Sequence, residues 1–97
     1  MNYSAELFQP HLNTPFLIQF QTGQQTRLLL DEIKNQTSEN SPFYHFSLFF
    51  TGATDLPLAQ GTYTLNHADL PAQTIFIVPV AKTDIGYRYQ ACFNITK

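Results

Sequence analysis

Repeated alternation of apolar and polar residues constrains the fold of this chain more than any other feature. From Phe16 onward, apolar side chains recur at every second position in short runs, and turn-forming residues separate the runs. A period of two is typical of β-strands that bury one face. The predicted strands are residues 16–21, 26–34, 43–51, 61–67, 74–81 and 87–95. Six short strands joined by turns predict a mainly β fold, a six-stranded antiparallel barrel or sandwich.

Two of these segments are less regular than the others. Residues 26–34 contain three consecutive leucines and could form a helical turn, but the short connection from the preceding strand favours a hairpin. Residues 74–81 are apolar on both faces, as in a strand buried on both sides. Within them, Pro79 indicates an edge strand, a bulge or a change of sheet. The predicted core comprises Phe46, Leu48, Phe76, Val78 and Phe93.

The first dozen residues predict one short N-terminal helix. Leu7 and Phe8 supply its apolar patch, Asn2 or Ser4 can cap it, and Pro10 limits its length. With 97 residues, the chain is long enough for one hydrophobic core. We therefore expect residues 1–97 to form a single β domain.

Charge and composition argue against several classes of function. Charged residues make up 12% of the chain, and the five Lys and Arg residues are scattered, which disfavours nucleic-acid binding. No segment has the apolar length of a membrane span, and the N-terminus lacks a secretory pattern. We expect a cytoplasmic protein with no membrane association. Cys92 is the single cysteine, which fits a reducing compartment, and it is expected to be a small core or face filler.

No residue pattern predicts a reaction. His11, His45 and His67 lack the close spacing of a metal-ligand cluster, and His67 is expected at the rim with its ring bonded to a backbone carbonyl. Asp31 and Glu32 form the one adjacent acidic pair, and in a strand they would point to opposite faces. We therefore expect no catalytic centre, no cofactor and no metal.

Surplus aromatic surface is the feature that bears most on function. The predicted strand 43–51 carries Phe43 and Phe49 on the face opposite Phe46 and Leu48, so something must cover this second face. The cover is either the N-terminal helix or a protein partner, including a second copy of the chain. Large aromatic side chains are enriched in interfaces. The predicted partner-contact residues are Phe43, Phe49, Tyr87 and Tyr89.

These observations favour a non-enzymatic structural or protein-binding module. The alternative is a small-ligand-binding β-barrel. In that case the residues expected to line its mouth are Tyr63, His67, Tyr87 and Tyr89.

Four segments also follow the pattern of a known family. They are Phe46–Gly52, Pro57–His67, Ile75–Val80 and Tyr89–Asn94, and their order is more specific than any one strand. Over about residues 7–95 the chain resembles a family of small uncharacterised bacterial proteins filed as a domain of unknown function. Tyr44–His45 departs from the shorter lead-in of that pattern. The resemblance implies no catalytic residues. It implies a context, since members are often encoded near phage-tail-collar-type proteins, and hence an accessory of a phage-tail-like locus.

Overall fold

The chain forms a closed six-stranded antiparallel β-barrel preceded by a short helix. The computed structural model describes residues 5–54 and 56–96, so the predicted capping residues Asn2 and Ser4 lie outside the described residues. The elements are α1 (Ala5–Phe8), a 3-10 turn (Gln9–His11), β1 (Pro15–Gln19), β2 (Gln25–Asn35), β3 (Phe43–Gly52), β4 (Gly61–Asn66), β5 (Gln73–Thr83) and β6 (Gly86–Thr96). The predicted mainly β fold with one N-terminal helix is confirmed, and the barrel is the correct architecture of the two.

The two shortest strands, β1 and β4, close the barrel. The strand order is β1-β2-β3-β6-β5-β4, and β4 returns to β1 through the pairs Leu17↔Asn66 and Ile18↔Leu65. Each of the other ladders pairs five or more residues. Closure at this seam gives every strand a paired neighbour on both sides, although the longer strands extend beyond their shorter neighbours.

The ambiguous segment 26–34 is a strand, as the hairpin interpretation predicts. β2 pairs with β1 from Pro15↔Leu29 to Gln19↔Gln25. The connecting turn contains Gly23 at φ 91°, a backbone conformation that glycine adopts without steric cost.

Inward-facing side chains from all six strands fill the barrel. The most deeply buried apolar members are Phe16, Ile18, Leu28, Leu30, Phe46, Leu48, Phe50, Leu65, Ile75, Ile77, Tyr89 and Ala91. A barrel of so few strands has room inside for side chains only. Phe8 of α1 packs at one end, with its ring centroid 6.4 Å from that of Phe46 and 6.2 Å from that of Phe93. The helix therefore plugs an end of the barrel and does not cover the outer face of β3.

The predicted core is correct for Phe46 and Leu48, whereas Val78 and Phe93 are half-buried. For Phe76 the prediction is wrong, since half of its surface, 50%, is exposed. Ile75 and Ile77 point inward on β5, so alternation places Phe76 outside. A run that is apolar on both faces does not indicate which face is the inner one.

Pro79 marks both an edge and a bulge, two of its three predicted roles. The β5–β6 register shifts between Pro79 and Ala81. The β4–β5 ladder ends at Gly61↔Ile77, so the later residues of β5 pair with no residue of β4. Every residue from Pro79 to Thr83 is exposed, so the expectation of a strand buried on both faces is wrong.

A second bulge, in β2, overturns the expectation that Asp31 and Glu32 face apart. The β2–β3 register shifts between Leu30 and Glu32, and an extra residue interrupts the alternation of side chains. As a result, both carboxylates bind Arg88 of β6. Arg88 Nη1 donates to the Asp31 oxygens at 3.1 and 3.2 Å, and its Nη2 donates to Glu32 Oε1.

Among the residues that the structure describes, no helix has the length and apolar character needed to cross a lipid bilayer.

Candidate functional site

Two histidines that are distant in the sequence meet at one end of the barrel. His11 ends the 3-10 turn, His67 follows β4, and their ring centroids lie 4.7 Å apart in an edge-to-face arrangement. The start of β1 and the end of β4 lie at the same end because these strands pair antiparallel. Barrel closure therefore brings together the segments before β1 and after β4. These two histidines therefore converge in space, although their sequence spacing does not indicate it.

Asp69 completes a cluster with the two histidines. One possible ligand atom from each of His11, His67 and Asp69 lies within 4.8 Å of the others. The third histidine, His45, is elsewhere, on β3, where its Nε2 is 3.4 Å from Ser41 Oγ. Sequence spacing missed the cluster because its members come from two segments that only the closed barrel brings together.

Hydrogen bonds define the protonation of His67. The Asp69 backbone N–H donates to His67 Nδ1 at 3.0 Å, and Thr14 Oγ1 lies 2.8 Å from His67 Nε2. The Thr14 hydroxyl also donates its one proton to the His11 carbonyl. Nε2 must therefore carry the proton and donate to Thr14, while Nδ1 presents a lone pair. The ring thus bonds a backbone N–H, not the predicted backbone carbonyl.

The surroundings of His67 favour this neutral ring. Burial lowers the pKa of His67 below its ordinary value of 6.5, the nearby His11 lowers it further, and Asp69 opposes the shift. The Phe16 ring packs against it with a centroid separation of 4.7 Å. An apolar neighbour and a second imidazole both disfavour the imidazolium form.

Phe43 and Phe49, two of the predicted partner-contact residues, lie on the outer face of β3. Phe43 is 39% exposed, while Phe49 is half-buried. Two cations cover the Phe49 ring: Arg88 Cζ lies 4.9 Å and Lys34 Nζ 5.3 Å from its centroid. These charged side chains, rather than the N-terminal helix, shield this part of the outer face.

Tyr89 is not available to a partner, contrary to the prediction. It is fully buried, and its hydroxyl accepts a hydrogen bond from the Leu58 backbone N–H at 2.8 Å. Burial raises the pKa of Tyr89 above its ordinary value of 10.0, so the phenol stays protonated. The sequence held the signal for this burial, since Tyr89 has the same strand parity as Phe93, a predicted core residue. Tyr87 is half-buried, with Lys82 Nζ 5.6 Å from its ring centroid.

The predicted ligand-binding mouth does not form. β4 and β6 run in the same direction because each pairs antiparallel with β5. The Tyr63 side chain points towards the start of β4, where its hydroxyl donates to the Ala59 carbonyl at 2.7 Å, and Tyr87 is near the start of β6. His67 follows the end of β4. His67 therefore lies at the opposite end of the barrel from the tyrosines.

Cys92 lies on the outer face of β6, in an open depression of about 230 Å³ lined also by His45 and Ser47. Its side chain is exposed. Of the two positions predicted for Cys92, in the core or on a sheet face, the second is therefore the correct one. Ser47 Oγ donates to Cys92 Sγ at 3.6 Å, and Gln90 Nε2 donates to Ser47 Oγ at 3.2 Å. In its contacts with the described residues, the Cys92 sulfur therefore accepts a hydrogen bond.

Gln73 is a buried polar residue that the sequence reasoning missed. It begins β5 opposite Leu65, and only 2% of its surface is exposed. Neither its amide nitrogen nor its amide oxygen has a hydrogen-bond partner among the described residues. Gln73 lies on the same face as Ile75 and Ile77, but its polar side chain is not one that the sequence would place in a core.

Three exposed apolar side chains lie on β5 and in the turn between β5 and β6. Phe76 is 50% exposed, Val80 46% and Ile85 80%. We call these three residues the β5 strip. The strip could not be predicted from the sequence, because alternation alone does not show that Phe76 lies on the outer face of β5.

Comparison with curated proteins and with solved structures finds no match. A family model described as a domain of unknown function, DUF6916, matches residues 3–93. This match spans nearly the whole barrel and the helix before it, and it confirms the resemblance to an uncharacterised family. The chain therefore belongs to the DUF6916 family.

Proposed function

We propose that this protein is a non-enzymatic protein-binding module that uses the β5 strip to contact a different protein. The observation that carries the proposal is the placement of apolar surface. Fully buried side chains already fill the interior, yet Phe76, Val80 and Ile85 remain exposed on one strand and its turn. Exposed apolar side chains on one outer strand offer contact surface to a protein partner.

A different protein is a better partner for β5 than a second copy. The open edge of β5 begins after Ile77 and contains Pro79, which has no N–H to donate, and Lys82. Proline and lysine on an edge strand oppose pairing between identical strands. The partner is therefore expected to offer an apolar groove to the side chains of the strip.

The filled interior disfavours the alternative of a small-ligand-binding barrel. Side chains of all six strands occupy the space that an enclosed ligand would need. The depressions next to Tyr63 and next to His67, of about 290 and 340 Å³, are open to the surface.

Nucleic acid is a poor candidate partner, since three basic side chains are already engaged. Arg88 binds Asp31 and Glu32, Lys34 pairs with Glu32 at 3.8 Å, and Lys82 lies over Tyr87. Cations held in this way contribute little to phosphate binding.

The proposal places the module in the cytoplasm, as an accessory of a phage-tail-like locus. The phage-tail-like context is what the family resemblance implies, and it specifies which candidate partners to test first. They are the products of the genes that neighbour the gene for this chain.

The test is co-expression of the chain with each neighbouring gene product, followed by calorimetry on any complex. We expect Phe76→Ser and Ile85→Asp each to weaken binding at least about 10-fold, as central interface residues do. Leu29→Ser is the matched control, since Leu29 is a 38% exposed apolar residue of β2. It should bind as the wild type does.

Phe43→Ser and Phe49→Ser test the surface predicted from the sequence. If these variants lose binding while Ile85→Asp keeps it, the contact surface is on β3 and the β5 strip is not the site. A wild-type chain that binds none of the neighbouring products would contradict the proposed function.

A further inference from the structure

We propose that His11, His67 and Asp69 form a binding site for a divalent transition metal of the Zn²⁺ class. Two imidazoles and one carboxylate are ligands that Zn²⁺, Co²⁺ and Ni²⁺ accept, and three protein ligands leave a position for water. One possible ligand atom of each residue already lies within 4.8 Å of the others. The site is separate from the β5 strip and independent of the proposed partner.

The tautomer of His67 is the one that such a site needs. Its Nε2–H donates to Thr14, which leaves the Nδ1 lone pair on the side of Asp69. Metal-bound histidines typically donate their other ring N–H to an oxygen, which orients the ring. Thr14 is therefore a positioning residue. Its hydroxyl also holds the His11 carbonyl, so the same side chain orients both histidines.

Binding requires a small movement of an exposed loop. Ligand atoms around a tetrahedral Zn²⁺ lie about 3.4 Å apart, so the cluster must contract by about 1.4 Å at most. The metal would also replace the Asp69 backbone N–H at His67 Nδ1. Asp69 and the preceding Ala68 are both exposed, so this part of the β4–β5 loop can shift without disturbing the core.

A metal at this position would connect two segments that close one end of the barrel. His11 belongs to the turn that follows α1, and His67 and Asp69 belong to the loop after β4. A ligand that binds the folded state alone raises its stability. We therefore expect metal binding to stabilise the barrel against thermal unfolding.

The experiment uses the full chain without a histidine tag, stripped of metal by chelation, and titrates it with Zn²⁺ by calorimetry. We expect one Zn²⁺ per chain, a micromolar Kd, and a rise in Tm of more than about 5 °C at saturation. His11→Ala and Asp69→Asn should each weaken binding at least about 10-fold and reduce the rise in Tm. His45→Ala is the matched control and should behave as the wild type.

Three outcomes would overturn the proposal. They are the absence of saturable Zn²⁺ binding by the wild type, unchanged binding by both His11→Ala and Asp69→Asn, and an equal loss in His45→Ala. Circular dichroism checks that each variant is folded. If His11→Ala unfolds, His11→Gln replaces it in the titration. In addition, the visible absorption of Co²⁺ bound to the wild type must show nitrogen and oxygen ligation in a four-coordinate site.

Discussion

His67 packs between His11, Thr14 and the Phe16 ring, so its imidazole loses part of its contact with water when the chain folds. Burial and the neighbouring His11 lower its pKa in the folded state below the unfolded value of 6.5. Between these two values the unfolded chain binds more protons than the folded chain. Stability is therefore fully present above pH 6.5 and falls as the pH drops through 6.5 towards the lowered value.

Urea unfolding of the wild type and of His67→Asn across this range checks the prediction. The unfolding free energy of the wild type should decline below pH 6.5 more steeply than that of His67→Asn. Asp69 opposes the lowering of the His67 pKa. The unfolding free energy of Asp69→Asn should therefore decline below pH 6.5 more steeply than that of the wild type. Parallel pH profiles for the wild type and His67→Asn would show that His67 titrates equally in both states.

We expect that replacing Gln73 by an apolar residue stabilises the protein. Its amide is buried without a described hydrogen-bond partner, and a buried unpaired polar group costs about 1–3 kcal/mol. Methionine has a similar length and no donor to satisfy, so Gln73→Met should raise the unfolding free energy by about 1 kcal/mol. Chemical denaturation measures the change. A loss of stability would mean that a water molecule or a ligand satisfies the amide in solution.

At the scale of the element, β5 divides between a buried and an exposed face. Ile77 is fully buried and the adjacent Phe76 is half-exposed. Ile77→Ala should therefore cost about 2–5 kcal/mol, as other large-to-small changes in protein cores do. Phe76→Ala should cost less than about 1 kcal/mol, although it removes more atoms. The two variants, measured side by side by chemical denaturation, are controls for each other. A larger loss for Phe76→Ala would reverse the assigned faces.

The six strands could be predicted from alternation because each has one apolar face and ends at a turn. The same rule could not assign the faces of β5, since Phe76 and Val78 are as apolar as Ile75 and Ile77. Nor could it place Asp31 and Glu32 on one side, because a bulge breaks the period of two within β2. Errors in the predicted elements thus occur where the side-chain pattern is ambiguous or where the backbone is irregular.

At the scale of the whole molecule, closure of the barrel determines which distant segments meet and which side chains lie inside, and the sequence pattern specifies neither. The β1–β4 seam consists of only two residue pairs, yet it brings His11 next to His67. Contacts between segments so far apart in the chain leave no periodic signal in a single sequence. Closure also places Tyr89 in a filled interior, whereas local composition suggested an aromatic surface.

The outer surface of the filled barrel is therefore the part of the molecule that we propose to be functional. Phe8 and Leu58 pack against the core from opposite ends, and the interior is occupied by side chains. The apolar surface that remains for a partner includes the β5 strip, with Ile85 in the turn between β5 and β6.

The most direct measurement is amide chemical-shift mapping by NMR, with the ¹⁵N-labelled chain titrated by the partner found among the neighbouring gene products. We expect the largest changes to fall on residues 76–85 and to disappear in Ile85→Asp. Inward-facing residues such as Leu48 and Phe50 should keep their shifts. Changes centred on the barrel interior would contradict the claim that this protein acts through the outer surface of β5.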